Sequence, residues 1–101
     1  MSFFSILTGR PSLVEGLAKM NPEGVLVDVR TPEEYRGGHL PGAVNVPLDG
    51  IQGAALPKEK PIYVYCHSGA RSAQACRWLQ QEGYSVENLG GLMGYRGELE
   101  R

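Results

Sequence analysis

Two short apolar runs, residues 24–29 and 61–66, limit what this chain can fold into more than any other feature. Each is rich in β-branched or aromatic residues, and each begins at a glycine or a proline. A run this short and continuous is typical of a strand that is covered on both faces, as in a parallel sheet. Helical patterns follow both runs, so strands alternate with helices. We therefore expect an α/β fold with a mostly parallel central sheet flanked by helices.

Further elements are expected around these two strands. Apolar residues recur at helical spacing before the first run, which predicts an amphipathic helix with one buried side. The residues expected on that buried side are Leu13, Val14, Leu17 and Met20. Shorter strands are predicted at residues 43–46 and 86–89, with a helical turn near Ile51 and a terminal helix over residues 92–99.

The residues after the first run have the composition of a helix start. Thr31 can act as the N-cap, Pro32 fits the first helical position, and Glu34 stands where a capping-box acid belongs. The paired glycines at positions 37 and 38 follow closely, so the helix is expected to be short.

The stretch that carries the most chemistry follows the second run, where residues 66–72 read Cys-His-Ser-Gly-Ala-Arg-Ser. Cys66 ends a predicted strand, and a helix begins near Arg71, at the sheet edge where ligands of α/β sheets bind. Free N–H groups and the helix dipole lower the pKa of a thiol placed there, and the thiolate is the nucleophile. Gly69 lets the loop curl into an anion-binding nest, and Arg71 adds a planar fork of donors. The stretch predicts a nucleophilic cysteine that attacks an anionic substrate.

Three other residues compete for a functional interpretation. Cys76 falls in the middle of the following helix, on its apolar side, so we interpret it as a core residue. Asp28 and Arg30 flank the end of the first strand. In the functional interpretation they support the cysteine loop, where Asp28 orients Arg71 or Arg30. The alternative, which we favour, is a structural ion pair or turn anchor.

Composition narrows the class of protein. The 101 residues suit about one small domain with its own core. Ten basic against eleven acidic residues give a net charge of -1, which lends no support to nucleic-acid binding. The two cysteines and two histidines show no metal-ligand spacing. No apolar run approaches the roughly 20 residues of a membrane span, and no secretory signal is visible, so a cytoplasmic protein without a membrane partner is expected.

Taken together, several motifs resemble the rhodanese-like sulfurtransferases, in that family's order and spacing. The matching segments are residues 27–30, 34–35, 38–47, 66–72 and 90–91. The resemblance covers about residues 10–100. It implies that residues 1–101 form a single domain, a three-layer α/β sandwich, with residues 1–9 as a short N-terminal extension. In that extension Phe3, Phe4, Ile6 and Leu7 form an apolar patch, and both a monomer and a homodimer remain open.

The resemblance also implies an activity. Cys66 takes a sulfane sulfur from thiosulfate or another small-molecule donor as a persulfide, and then passes it to cyanide, a thiol or a protein acceptor, with ping-pong kinetics. No metal or organic cofactor is implied. The loop that binds the substrate anion consists of His67, Ser68, Gly69, Ala70, Arg71 and Ser72.

Two alternatives are weighed against this activity. Phosphatases of related fold carry five residues between cysteine and arginine, whereas this loop has four, which argues against a phosphatase or arsenate reductase activity. Non-catalytic binding modules of the family usually lack the cysteine, which this chain keeps. Efficient thiosulfate users often have arginine or lysine directly after the cysteine, where this chain has His67. A persulfide donor is therefore expected beside thiosulfate, with Arg71 as the main source of positive charge in the loop.

Overall fold

The central sheet in the computed structural model, which describes residues 13–101, has four parallel strands. The strands are β1 (Val25–Asp28), β2 (Val44–Asn45), β3 (Ile62–Cys66) and β4 (Val86–Gly91). Their order across the sheet is β2-β1-β3-β4, so the two strands predicted from the apolar runs lie side by side at its centre. The parallel sheet expected from the sequence is confirmed.

The described residues form one helix before β1 and further helices that connect successive strands. They are α1 (Leu13–Ala18), α2 (Pro32–Gly37), a 3-10 helix (Leu48–Gly53) and α3 (Ala70–Gln81). The capping box predicted for α2 is present: Glu34 N donates to Thr31 Oγ1 at 3.2 Å, and Thr31 N donates to Glu34 Oε1 at 3.0 Å. The turn expected near Ile51 is the 3-10 helix, in which Ile51 is buried.

Alternation along the strands divides the core into two clusters, one on each face of the sheet. Val27, Val64 and Cys66 face α3 and the 3-10 helix. Leu26 and Tyr63 face the opposite side, where α1 packs. Because successive strand residues point to opposite faces, both faces of the sheet are covered and the three-layer α/β arrangement is confirmed.

Two details of the predicted elements are wrong. Val14 was expected on the buried side of α1, but its side chain is 61% exposed because Leu13 and Gly16 occupy the side of α1 that packs against the sheet. The terminal helix over residues 92–99 does not form. Leu92 N and Met93 N donate to the Cys66 and His67 carbonyls, and an antiparallel bridge joins Glu100 to His39, so the segment's backbone is committed elsewhere.

The sheet order decides what meets at the functional edge. Because β1 and β3 are parallel neighbours, α2 begins beyond the same sheet edge as the loop that follows Cys66. The N-terminal apolar patch predicted at Phe3, Phe4, Ile6 and Leu7 lies outside the described residues. Within residues 13–101, no helix is long and apolar enough to cross a membrane.

Candidate active site

Cys66 is the last residue of β3, and its side chain is fully buried. Its Sγ atom accepts hydrogen bonds from the backbone N–H groups of Gly69, at 3.0 Å, and of Ser72, at 3.4 Å. The Ser72 Oγ atom lies 3.5 Å from the same sulfur. Gly69 has a φ of 98°, a left-handed conformation that glycine adopts without strain, and this turns the loop back over the sulfur.

These donors favour the thiolate form of Cys66. Burial raises the pKa of the Cys66 thiol. Hydrogen bonds from the Ser72 hydroxyl and from the Ser72, Gly69 and Ser68 backbones lower it, and together they outweigh burial, so the pKa lies below its ordinary value. Cys66 thus has the electrostatic surroundings of a nucleophile.

The loop is held in place by the end of β4. A Cβ atom at Gly91 would overlap the His67 carbonyl, so only glycine lets the loop backbone approach this closely. Leu92 N donates to Cys66 O at 3.0 Å, and Met93 N donates to His67 O at 2.9 Å. The side chains of His67 and Ser68 remain exposed, as does Ala70.

Ser72 and Asn88 form a second layer beneath the sulfur. The Ser72 hydroxyl donates to Asn88 Oδ1 at 2.7 Å, and the Asn88 side-chain amide donates to Gly69 O at 3.4 Å. Gly90 N also donates to Asn88 Oδ1 at 2.9 Å. Asn88 was not predicted from the sequence as a site residue. The available signal was an amide side chain on the strand after the cysteine loop, near its carboxyl end.

The sequence predicted that Arg71 offers its guanidinium donors to an anion in the loop, but in the structure these donors are already bonded. Its guanidinium donates to Glu34 Oε1 at 2.7 Å and to Glu34 Oε2 at 3.0 Å, and both side chains are 35% exposed. Hydrogen bonding to Arg71 is the main reason that the Glu34 pKa falls to about 2. Sequence reasoning identified Glu34 only as a cap. The missed signal is topological, since α2 and α3 begin at one sheet edge.

Asp28 is bonded to Arg30 and not to Arg71. The Arg30 guanidinium donates to both Asp28 carboxylate oxygens, with the shortest distance 2.6 Å, and also to Gly38 O at 2.8 Å. Both side chains are buried. The structure therefore favours the interpretation of a structural ion pair that fixes the turn after β1.

A groove of about 770 Å³ lies beside Arg71 at the same sheet edge. Its walls come from the end of β1, the start of α2, the 3-10 helix and the outer side of α3. The lining residues are Val29, Thr31, Pro32, Glu33, Pro47, Leu48, Asp49, Ile51, Gln52, Arg71, Gln74 and Trp78. Most of them are apolar or uncharged, so the groove offers room for an organic group next to the loop.

Cys76 and His39 lie away from the Cys66 sulfur and make no hydrogen bond to it. Cys76 is buried on the core side of α3, where burial raises its pKa to about 11. His39 stacks on Tyr35, with ring centroids 3.7 Å apart, and its Nδ1 lies 2.8 Å from Tyr35 O. No group of three or more potential metal ligands occurs within residues 13–101.

In this fold a cysteine ends a parallel strand, and backbone N–H groups at the start of the next helix point at its sulfur. This arrangement is typical of α/β proteins that bind an anion in the loop after the cysteine. The chain belongs to the rhodanese-like domain family, whose model matches residues 12–98. It is 44% identical over 75 residues to a sulfurtransferase of Allochromatium vinosum, covering 70% of each chain. It is also 44% identical over 71 residues to the thiosulfate sulfurtransferase PspE of Escherichia coli, covering 65% of this chain and 68% of that one.

A solved structure of similar fold is a rhodanese with anions from Escherichia coli. Its sequence is 36% identical, its TM-score is 0.68, and the match covers 77% of this chain and 98% of that chain. The expected family is confirmed by these matches.

Proposed function

We propose that this protein is a sulfurtransferase that carries a sulfane sulfur on Cys66. The observation that carries the proposal is the position of Cys66 Sγ, which accepts N–H groups from Gly69 and Ser72 at the start of α3. Such an arrangement stabilises a thiolate and, after transfer, the terminal sulfur anion of a persulfide. Relatives named as sulfurtransferases support the same conclusion.

In the first half-reaction the Cys66 thiolate attacks the outer sulfur of thiosulfate or of a persulfide donor. The donor S–S bond breaks, and its electron pair leaves on sulfite or on a thiolate. In the second half-reaction cyanide or a thiol, free or on an acceptor protein, attacks the terminal sulfur of Cys66. The electron pair of that S–S bond returns to Cys66 as the thiolate, so neither step needs an external oxidant or an organic cofactor.

The other loop residues serve this chemistry in distinct ways. The backbone N–H groups of Gly69 and Ser72 hold the anionic sulfur, and Gly69 gives the loop its curvature. The Ser72 hydroxyl is a further donor within reach of the sulfur, at 3.5 Å. The buried Asp28–Arg30 ion pair fixes the turn after β1 through the Arg30 hydrogen bond to Gly38 O. The outer face of the loop, formed by His67, Ser68 and Ala70, is exposed to solvent, and Cys66 lies buried beneath it.

Intact-protein mass spectrometry tests the proposal. The protein is incubated with thiosulfate or with a hydropersulfide, without reductant, and should gain one sulfur atom, about 32 Da, which cyanide then removes as thiocyanate. Cys66→Ala should gain nothing. Cys76→Ala is the matched control, because it removes the other cysteine, and it should gain the sulfur as the unaltered protein does.

Absence of the adduct with every donor, in protein shown to be folded, would contradict the proposal. Hydrolysis of an aryl phosphate that depends on Cys66, without sulfur transfer, would instead indicate a phosphatase. The four residues between Cys66 and Arg71 argue against that outcome, because phosphatases of related fold use a longer loop.

A further inference from the structure

Arg71 is the only lysine or arginine in the loop of residues 66–72. A donor such as thiosulfate carries two negative charges, so this guanidinium is the natural group to balance them. The structure commits it elsewhere, because both of its terminal nitrogens are bonded to the two carboxylate oxygens of Glu34. The pair is bidentate, the strongest geometry available to these side chains.

Glu34 is well placed to hold this arrangement. Its Oε1 also accepts Thr31 N, so the carboxylate is anchored by the capping box of α2 while it faces Arg71. Freeing Arg71 for an incoming anion would break two charge-assisted hydrogen bonds and leave a half-buried carboxylate without its partner. The bound sulfur is therefore stabilised mainly by neutral backbone dipoles, which suit one negative charge better than two.

We propose that Glu34 is a positioning residue that sets donor specificity: by neutralising Arg71, it makes the loop select monoanionic sulfane-sulfur donors over the thiosulfate dianion. The donor class consists of monoanions whose sulfane sulfur is bonded to a sulfur atom that carries an uncharged organic group, such as alkyl thiosulfonates. This inference rests on the proposed sulfurtransferase function and specifies its substrate class. The step is unchanged: the Cys66 thiolate takes the outer sulfur, and the electron pair of the donor S–S bond leaves on a sulfinate, so charge is conserved.

Thiosulfate and methanethiosulfonate provide a matched pair of donors, because a methyl group in one replaces a charged oxygen in the other. Both leave the same persulfide on Cys66, and cyanide serves as the common acceptor. The measured quantity is the ratio of kcat/KM for thiosulfate to kcat/KM for methanethiosulfonate. Taking this ratio within each variant cancels general changes in the reactivity or the folded fraction of the enzyme.

Glu34→Gln should raise that ratio about tenfold, mainly through a lower KM for thiosulfate, because one uncompensated charge on Arg71 becomes available. Glutamine also serves in a capping box, so α2 is preserved. Glu59→Gln is the matched control, since it removes the same charge from an exposed side chain that precedes the start of β3, at the opposite sheet edge from the loop. Its ratio should change less than about twofold. The double variant Glu34→Gln with Arg71→Ala should lose the gain.

An unchanged or lower ratio in Glu34→Gln would overturn the inference, and a lower one would mean that Glu34 presents Arg71 to the dianion. A gain that survives in the double variant would also overturn it, because the gain would not act through Arg71. Failure of the proposed function is distinguishable, since no variant would then form a persulfide with either donor.

Discussion

Ser72 donates its hydroxyl hydrogen to Asn88 Oδ1 at 2.7 Å, while its oxygen lies 3.5 Å from Cys66 Sγ. A hydroxyl has one hydrogen, so Ser72 cannot donate to both partners at once. When Cys66 is a thiol, its S–H can donate to Ser72; when it is a thiolate, the hydroxyl hydrogen is drawn toward the sulfur. Asn88 Oδ1 still has Gly90 N as a donor in that second state. The pair therefore lets the site accommodate both protonation states.

Replacement of Ser72 by alanine should raise the Cys66 pKa, because the side-chain donor to Sγ is lost while the backbone donors remain. The pH profile of alkylation by iodoacetamide would then move to higher pH, and the rate at neutral pH would fall. Ser68→Ala is the control, because Ser68 contributes to the Cys66 pKa through its backbone and its side chain is exposed. A Ser72→Ala profile that coincides with the Ser68→Ala profile would exclude this role.

Replacement of Gly91 by alanine should displace the cysteine loop. The new methyl group would overlap the His67 carbonyl, so the loop must shift, at a cost of about 1–3 kcal/mol in the free energy of unfolding. Persulfide formation should slow as well, because Sγ loses its aligned donors. Gly50→Ala adds the same methyl group where no atom lies within 4 Å, and it should change the unfolding free energy by less than about 0.5 kcal/mol. Urea unfolding, monitored alongside adduct formation, measures both effects.

The Glu34–Arg71 pair should make stability depend on pH in the acid range. The Glu34 pKa is about 2 in the folded protein against an ordinary 4.5, so the carboxylate stabilises the fold fully above pH 4.5. That contribution is lost as the pH falls from 4.5 toward 2. The unfolding free energy of the natural protein should therefore fall more steeply over this range than that of Glu34→Gln, which has no carboxyl group to protonate there. Parallel curves would show that the pair contributes nothing to stability.

The two cysteines should differ sharply in reactivity. Burial raises the Cys76 pKa to about 11, whereas hydrogen bonds lower the Cys66 pKa below its ordinary value. At neutral pH iodoacetamide should modify one cysteine in the native protein and two in denaturant, as counted by mass spectrometry. Native Cys66→Ala should remain unmodified, and native Cys76→Ala should still gain one adduct. Equal labelling of both cysteines in native protein would contradict the assigned environments.

The sequence predicted the elements whose physics is local. The two short apolar runs became the central strands, the capping box at Thr31 began α2, and Cys66 ends β3 where a helix starts. Each of these features depends on a few consecutive residues. Apolar runs form buried strands, and capping residues mark the helix ends, so the local sequence is enough to predict them.

Relationships between distant segments were not predictable from local pattern. Glu34 and Arg71 are 37 residues apart, and only the adjacency of β1 and β3 shows that their helices begin together. Asn88 and Ser72 meet for the same reason across β3 and β4. For Val14, the local pattern led to a wrong prediction. Its spacing matched the apolar side of α1, but Gly16 lies against Leu89 and determines which side of the helix packs, so Val14 is exposed.

The pairing of β3 with β4 is irregular, because Val64 pairs with Asn88 and the next residue, Tyr65, pairs with Gly90. Leu89 is thus an extra residue in β4, buried in the core on the α1 side, and it brings Gly91 opposite Cys66. If the full-length strand paired evenly instead, Leu89 would lie opposite Tyr65 and Gly90 opposite Cys66, and Gly91 would move past the position where it meets the loop. The bulge at Leu89 therefore determines which residue of β4 meets Cys66, so this strand should tolerate substitutions at exposed positions such as Glu87 far better than a shift in its pairing with β3.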